Sequence, residues 1–111
     1  MKIASFRESE GRAKYTLKQD YKYVGDDYWD WGIWVEASDE ALDEIDRVVY
    51  NLHYTFREPV QTVRTRDNKF RLDNSGYGTF TVYARIALKD DSVVDLEHEL
   101  ELYYPEGEET K

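Results

Sequence analysis

Two short segments of the sequence combine aromatic side chains with small polar groups and glycine. Residues 52–59 read LHYTFREP, and residues 75–80 read SGYGTF. Aromatic rings contribute flat apolar surface, hydroxyl and imidazole groups form hydrogen bonds, and glycine lets a ligand approach the backbone closely. This combination favours recognition of a ligand. The alternative interpretation is that Phe56 and Tyr77 are core residues that lie near turns.

The sequence offers little for catalysis or metal binding. It contains no cysteine, two histidines and one methionine, which excludes thiol nucleophiles, thiolate zinc sites and histidine-rich metal sites. It also has no phosphate-binding glycine loop, no G-x-S-x-G motif and no H-E-x-x-H motif. His98 lies on the apolar side of an alternating segment, and we interpret it as a hydrogen-bonded core or edge histidine. We therefore expect a protein that is not an enzyme and needs no cofactor.

Alternation of apolar and polar residues predicts β-strands along most of the chain. The first alternating segment, residues 15–23, is either one strand or a strand broken near Gln19, and a turn is predicted at residues 25–27. Residues 28–35 place Trp29, Trp31 and two aliphatic residues on one face. Further strands are predicted at residues 48–52, 60–66, 80–88 and 94–102.

The segments between these strands carry helix and turn signals. Ser38 can cap a short helical turn, because Ala41, Leu42 and Ile45 follow at helical spacing. The run from residue 73 to residue 76, DNSG, is predicted to be a tight turn.

Seven or eight strands spaced about 10–12 residues apart, with one helical turn, predict an all-β fold. We expect an immunoglobulin-like antiparallel β-sandwich, and a small barrel is the alternative. A chain of 111 residues predicts one domain. We assign residues 15–105 to the sandwich, residues 1–14 to an N-terminal arm or edge strand, and residues 106–111 to an acidic C-terminal tail.

The charge balance restricts the kind of partner. Twenty-four acidic residues oppose fifteen basic ones, which gives a net charge of −9. Such a field repels phosphates, so we expect no nucleic-acid or membrane binding and favour a basic partner. No apolar run approaches the ~20 residues of a membrane span, and the N-terminus has no signal-peptide pattern. We expect a cytoplasmic protein, and the sequence does not define its oligomeric state.

Four segments of the chain resemble the motifs of YEATS domains. Residues 48–59, VVYNLHYTFREP, resemble the V-V-F-x-L-H-x-S-F-x-x-P motif, and residues 75–80 resemble the G-[WY]-G-x-F loop with the strand that follows it. Residues 30–35 are similar to the H-x-W-x-x-[FY]-V strand, and residues 96–104 to the closing strand of the family. The order and spacing agree over residues 28–104, and the prokaryotic members of the family are the most similar.

The resemblance implies a fold and a function. It implies an immunoglobulin-like sandwich and a module that reads acylated lysine, such as acetyl- or crotonyl-lysine, as eukaryotic YEATS domains do on histone tails. Phe56 and Tyr77 would be the aromatic walls of an open-ended channel, with Gly76 and Gly78 beside Tyr77. Tyr28 or Trp29 would add a further wall.

The same resemblance assigns the polar groups of the channel. His53 would line and orient it, and Thr55, at the family's serine position, would hydrogen-bond the acyl amide. The backbone N–H of Tyr77 would donate to the acyl carbonyl. Arg57 stands where the family usually has proline.

A structural or adaptor module is the competing interpretation. A β-sandwich can bind a protein through an edge strand or a loop, and the ten tyrosines and the acidic residues 97, 99 and 101 suit that role as well. The predicted partner is therefore an acylated-lysine peptide or another protein.

Overall fold

The computed structural model describes residues 14–105, which form two antiparallel β-sheets packed as a sandwich. The strands are β1 (Thr16–Gly25), β2 (Tyr28–Glu36), β3 (Ile45–Asn51), β4 (Val60–Val63), β5 (Leu72–Gly76), β6 (Thr81–Leu88) and β7 (Val93–Glu99). The three-stranded sheet has the order β1-β2-β5, and the four-stranded sheet has the order β4-β3-β6-β7.

This arrangement confirms the predicted immunoglobulin-like sandwich, and the two separate sheets exclude the barrel for the described residues. Apart from Lys14, the predicted arm of residues 1–14 lies outside the described part of the chain, and so does the predicted tail of residues 106–111. Within residues 14–105 the longest helix, α1 (Asp39–Asp43), has five residues, so no helix there can cross a membrane.

The core lies between the two sheets and follows the predicted alternation. On β2, Trp29, Trp31 and Ile33 are at most 3% exposed, whereas Trp34 on the opposite face is half-buried. The hydroxyl of Tyr50 is buried in this core and donates to the carbonyl oxygen of Phe70 at 2.8 Å. Burial raises the pKa of Tyr50 well above its ordinary value, so this hydroxyl remains a donor.

The β1–β2, β3–β4 and β5–β6 connections and the end of β7 lie at one end of the sandwich, which we call the loop end. The strand registers show this. In the three-stranded sheet Trp29 pairs with Gly76, so the β1–β2 turn lies beside the end of β5. In the four-stranded sheet Asn51 pairs with both Val60 and Tyr83, so the β3–β4 connection lies beside the start of β6. The opposite end carries α1, a 3₁₀-helix (Asp67–Lys69) and the β6–β7 turn.

The prediction of a tight turn at residues 73–76 was wrong. Residues 72–76 form β5 and pair with residues 29–33 of β2. The chain reverses earlier, where Asn68, Lys69 and Phe70 have positive φ angles. Because the edge of β2 offers a ladder of backbone hydrogen bonds, this pairing overrides the turn preference of the residues.

Other expected boundaries shift by a few residues. The predicted helical turn is present, and the Ser38 hydroxyl accepts from the N–H of Ala41 at 3.1 Å. The strand predicted at 60–66 ends at Val63, and the one predicted at 94–102 ends at Glu99. The strand predicted at 80–88 begins at Thr81, which leaves Phe80 in a loop.

Gln19 lies in β1, which is one continuous strand. Its side chain forms hydrogen bonds with the segment that follows β7. Its Nε2 donates to the carbonyl oxygen of Glu101 at 2.9 Å, and its Oε1 accepts from the N–H of Glu101 at 2.7 Å. The same Oε1 lies 2.7 Å from Nε2 of His98, so His98 is the hydrogen-bonded edge histidine that the sequence indicates. One side-chain amide thus makes the pair of bonds that a neighbouring strand would make, and it joins the two sheets.

We expect Gln19→Ala to lower the free energy of unfolding by about 2 kcal/mol, because up to three hydrogen bonds are lost. Gln61→Ala is the matched control: Gln61 is also half-buried, but its side chain makes one hydrogen bond, to the carbonyl oxygen of Glu58. Its expected loss is about 0.5–1 kcal/mol. Urea denaturation measures both, and equal losses would contradict the fastening role.

We also expect His98 to make stability depend on pH. Burial lowers the pKa of His98 below its ordinary value of 6.5, against the opposing effect of Glu101 and Glu99. The unfolded chain therefore takes up the His98 proton more readily, and the folded state loses stability as the pH falls through that range.

Urea denaturation from pH about 7.5 to about 5.5 tests this. The free energy of unfolding should fall more steeply in the wild type than in His98→Gln. Parallel curves for the two proteins would contradict the prediction.

Candidate functional site

A cleft of about 450 Å³ opens at the loop end between residues 52–59, the first loop, and residues 77–80, the second loop. This volume lies within the range of ~300–1,000 Å³ that is usual for small-ligand sites. Its walls are Tyr28, residues 53 and 55–57, and residues 74–80. The cleft is therefore built from both sheets.

The first loop is closed by its own backbone. The N–H of Leu52 donates to the carbonyl oxygen of Pro59 at 2.7 Å, and the N–H of Phe56 donates to the carbonyl oxygen of His53 at 3.0 Å. Leu52 is buried and anchors the loop in the core. These contacts hold the loop in a compact conformation in which His53, Thr55 and Phe56 line the cleft.

Hydrogen bonds within the first loop connect the imidazole of His53 with Thr55. The N–H of Thr55 lies 3.3 Å from Nδ1 of His53, so Nδ1 acts as an acceptor. Oγ1 of Thr55 is 2.9 Å from the same nitrogen, and its hydroxyl must then donate to it. In the neutral imidazole this arrangement corresponds to the tautomer with its proton on Nε2, and it leaves the lone pairs of Oγ1 available to accept from a ligand.

Phe56 is half-buried, and its ring packs against the rings of Trp31 and Phe80. It lies edge-on to Trp31 with centroids 6.3 Å apart, and its centroid is 5.3 Å from that of Phe80. Its Cζ lies 3.9 Å from the point where a Cβ on Gly76 would be. The ring of the first loop therefore reaches across to the end of β5.

Tyr77 has a different environment from Phe56. Its side chain is 75% exposed, and its ring centroid lies 6.3 Å from that of Tyr28. The space around Gly78 is open: among residues 14–105, no heavy atom outside the two adjacent residues lies within 4 Å of a Cβ built there. Tyr77 thus forms the rim of the cleft, whereas Phe56 forms its supported wall.

The structure places seven of the eight predicted site residues on the cleft. Trp29 is the exception, since its side chain is 3% exposed and its Nε1 donates to the carbonyl oxygen of Tyr103 at 2.9 Å. Alternation along β2 turns Tyr28 and Trp29 to opposite faces, and the outward Tyr28 is the one at the cleft. The seven are Tyr28, His53, Thr55, Phe56, Gly76, Tyr77 and Gly78.

The sequence did not assign five further residues to this site. Asn74 lay in the predicted turn, outside the two segments that the sequence indicated for ligand recognition, whereas Ser75 and Phe80 lay within the second segment without a role of their own. Arg57 and Thr79 were assigned no role in ligand binding. Both are nevertheless next to predicted site residues, so proximity along each loop was the signal that could have found them.

A larger depression of about 530 Å³ lies on the outer face of the three-stranded sheet. Arg71 spans it: the guanidinium lies over Gly32, where any side chain would collide with it. It pairs with Asp20 at 2.8 Å and with Asp73 at 2.7 Å. This depression is thus crossed by ion pairs that hold β1, β2 and β5 together. Nor does the described part of the chain contain a cluster of acidic or histidine side chains fit to hold a metal.

Comparison with protein families identifies the chain. The family model of the prokaryotic YEATS domain matches residues 29–101, which include both loops and the strands that carry them. The chain is a prokaryotic YEATS domain. Comparison with curated protein sequences gave no match.

Solved structures agree with this assignment. The yeast Yaf9 YEATS domain recognising an H3K122suc peptide is 25% identical, with a TM-score of 0.60, and the alignment covers 79% of this YEATS domain and 68% of the Yaf9 chain. The Yaf9 domain bound to H3K27ac has the same fold, with 21% identity, a TM-score of 0.64, and coverage of 82% and 71%.

Nitrogen NMR should detect the bonding between His53 and Thr55. At mildly alkaline pH we expect the His53 ring to be protonated at Nε2 and not at Nδ1, and Thr55→Val should change its ¹⁵N shifts because a donor to Nδ1 is lost. His98, the other histidine of the chain, is the internal control and should not change. Protonation of His53 at Nδ1 in the wild type would contradict the arrangement.

Proposed function

We propose that the domain is a non-catalytic binding module whose cleft takes up an acylated lysine, such as acetyl- or crotonyl-lysine, or a similarly flat amide. The observation that carries this proposal is the meeting of Phe56, Tyr77 and Thr55 on one cleft formed by adjacent loops. Membership of a family of binding modules supports it.

The chemistry of the cleft suits a flat, neutral and polar group. Phe56 and Tyr77 can hold the plane of an amide between them, and each such contact contributes about 0.5–1.5 kcal/mol beyond the burial of area. A desolvated amide that loses its hydrogen bonds costs about 1–3 kcal/mol for each unmet group. In the proposed complex Oγ1 of Thr55 accepts from the amide N–H, and the N–H of Tyr77 donates to the acyl carbonyl.

The same arrangement discriminates against unmodified lysine. Its ammonium group would have to leave water for a channel between two rings, at a high desolvation cost. Acylation removes that charge and supplies the planar amide for which the cleft has matching groups. Selectivity then comes from the neutral form of the side chain and not from the length of the lysine stem.

A basic peptide is the partner we propose. The net charge of −9 attracts positive residues that flank a modified lysine and speeds their arrival. The two Yaf9 complexes, with an H3K122suc peptide and with H3K27ac, support a peptide as the kind of ligand.

An adaptor without acyl-lysine binding is the second candidate. Three tyrosines away from the cleft favour it, because they are exposed by 42%, 53% and 58% and such side chains are common in protein interfaces. They are Tyr21, Tyr83 and Tyr103.

Titration of ¹⁵N-labelled protein with acetyl-lysine, crotonyl-lysine and unmodified peptides of one sequence tests the proposal. We expect shifts at residues 76–78 with the acylated peptides, and a loss of about tenfold or more in affinity in Phe56→Ala and Tyr77→Ala. Tyr77→Ala is the cleaner variant, because Tyr77 is 75% exposed and contributes little to the core.

Tyr83→Ala is the matched control, since Tyr83 is also exposed but lies on the outer face of the four-stranded sheet. It should leave the affinity unchanged. If no acylated peptide shifts residues 76–78, the acyl-lysine proposal fails and the adaptor is favoured.

A further inference from the structure

The outer face of the four-stranded sheet is open to solvent and carries three large exposed side chains. Tyr83, Val60 and Val93 are exposed by 53%, 56% and 49%. Tyr83 lies between the buried residues Val82 and Ala84, so alternation along β6 turns it outward. Exposed apolar and aromatic groups that share one face of a sheet indicate a contact surface.

The strand registers place four residues at the corners of this face. At the loop end one row of paired residues runs across the sheet from Val60 through Tyr83 to Glu97. At the opposite end Val93 begins β7, and Arg64 directly follows β4. Arg64 and Glu97 therefore lie at the ends of one diagonal, and Val60 and Val93 lie at the ends of the other.

The charges on the first diagonal are not balanced within the described part of the chain. Arg64 and Arg47 share the carboxylate of Asp46, at nitrogen–oxygen distances of 3.6 and 2.7 Å. Glu97 is exposed, and no basic side chain among residues 14–105 forms an ion pair with it. One corner thus has an excess of positive charge, and the opposite corner has an excess of negative charge.

We propose that this outer face pairs with the same face of a second copy of the chain, about a two-fold axis along the diagonal from Val60 to Val93. A rotation of 180° about that axis brings Arg64 of each copy onto Glu97 of the other. Val60 and Val93 lie on the axis, and each meets its own counterpart. Opposite charges and apolar side chains are then matched at all four corners.

The charge pattern selects this axis from the simple two-fold arrangements of two stacked faces. An axis along the strands places Arg64 opposite Val93, and an axis across the strands places it opposite Val60. An axis along the other diagonal places Arg64 on Arg64 and Glu97 on Glu97. The selected axis sets the strands of the two copies nearly at right angles, which is one of the two ways in which β-sheets stack.

The middle of the face suits close packing between copies. Tyr83 borders two depressions of about 450 and 290 Å³, which offer space for side chains of the second copy. Arg85 forms an ion pair with Asp95 at 2.7 Å. Pairing of the faces therefore leaves neither of these two charges alone in the interface.

The size of the face predicts a weak dimer. Four strands of about seven residues cover about 450 Å², so two copies bury about 900–1,000 Å² in total. This is near the lower limit for a specific interface. The net charge of −9 also opposes association, although repulsion beyond about 8 Å is largely screened at physiological salt.

The proposed dimer does not depend on the function proposed for the cleft. Arg64, Glu97, Val60 and Val93 do not line the cleft between the two loops, and neither does Tyr83. Both clefts therefore stay open in the dimer, and self-association is measured without any ligand.

Sedimentation equilibrium of the wild type from about 10 μM to about 1 mM, in about 0.15 M salt, tests the proposal. We expect the average mass to rise with concentration from 13.2 kDa toward twice that value, with a dissociation constant of about 100 μM. Arg64→Glu and Glu97→Arg should each weaken self-association at least about tenfold, because like charges then meet at two equivalent corners.

A charge exchange separates specific pairing from an effect of net charge. The double variant Arg64→Glu/Glu97→Arg keeps the net charge at −9 and should associate as the wild type does. An equimolar mixture of the two single variants should also form dimers, since each chain then offers the charges that the other lacks. Lys18→Glu is the matched control, because it makes the same charge change as Arg64→Glu on the outer face of the three-stranded sheet; its association should stay within about twofold of the wild type.

Three outcomes overturn the proposal. They are a wild type that remains monomeric at about 1 mM, single variants that associate as the wild type does, and a double variant that fails to recover the association. Arg64 and Glu97 are both exposed, so the variants should fold, and thermal denaturation checks this before the masses are compared.

Discussion

The packing of Phe56 against Trp31 and Phe80 connects the core of the sandwich to the cleft. Phe56 belongs to the loop after β3, in the four-stranded sheet, and Trp31 belongs to β2, in the three-stranded sheet. Their edge-on contact therefore fixes how the two sheets meet at the loop end. Because interiors pack densely, a change in the core beneath Phe56 would alter the position of the ring that forms the cleft wall.

The two aromatic walls of the cleft differ in how firmly the surrounding residues hold them. Phe56 packs against buried Trp31 and half-buried Phe80, and a wall that is already ordered would lower the entropy cost of the proposed binding. Tyr77 is mostly exposed and lies at the rim beside the ring of Tyr28, so in the proposed complex it has room to adjust to the ligand. The contact between Nδ1 of His53 and Oγ1 of Thr55 orients the hydroxyl that we propose as the acceptor of an amide N–H.

Much of the fold could be predicted because its core strands obey simple alternation. The inward face of β2, with Trp31 and Ile33, follows directly from a period of two residues. The loop residues His53, Thr55 and Phe56 could be assigned from the order of motifs along the chain. The fastening by Gln19 could not be predicted, since it depends on Glu101, which is 82 residues away.

The resemblance left Tyr28 or Trp29 for a further wall, and the structure places Tyr28 and not Trp29 on the cleft. The alternation along residues 28–35 already places Trp29 on the inward face with Trp31, whereas the motif resemblance was too weak at this point to choose between Tyr28 and Trp29. The indole N–H of Trp29 donates to the carbonyl oxygen of Tyr103, in the segment after β7. This hydrogen bond gives the buried indole nitrogen a partner inside the sandwich. Tyr28 is left at the surface.

The wrongly predicted turn at residues 73–76 is informative about the site. A strand of small polar residues is a poor strand by composition, yet β5 ends beside the cleft and supplies Asn74, Ser75 and Gly76 to its wall. Bulky β-branched residues there would fill the space between Phe56 and the second loop. Local preference and global fold disagree in this segment, and the small side chains leave the cleft open. Such disagreements are expected at functional sites, which supports the binding role proposed for this cleft.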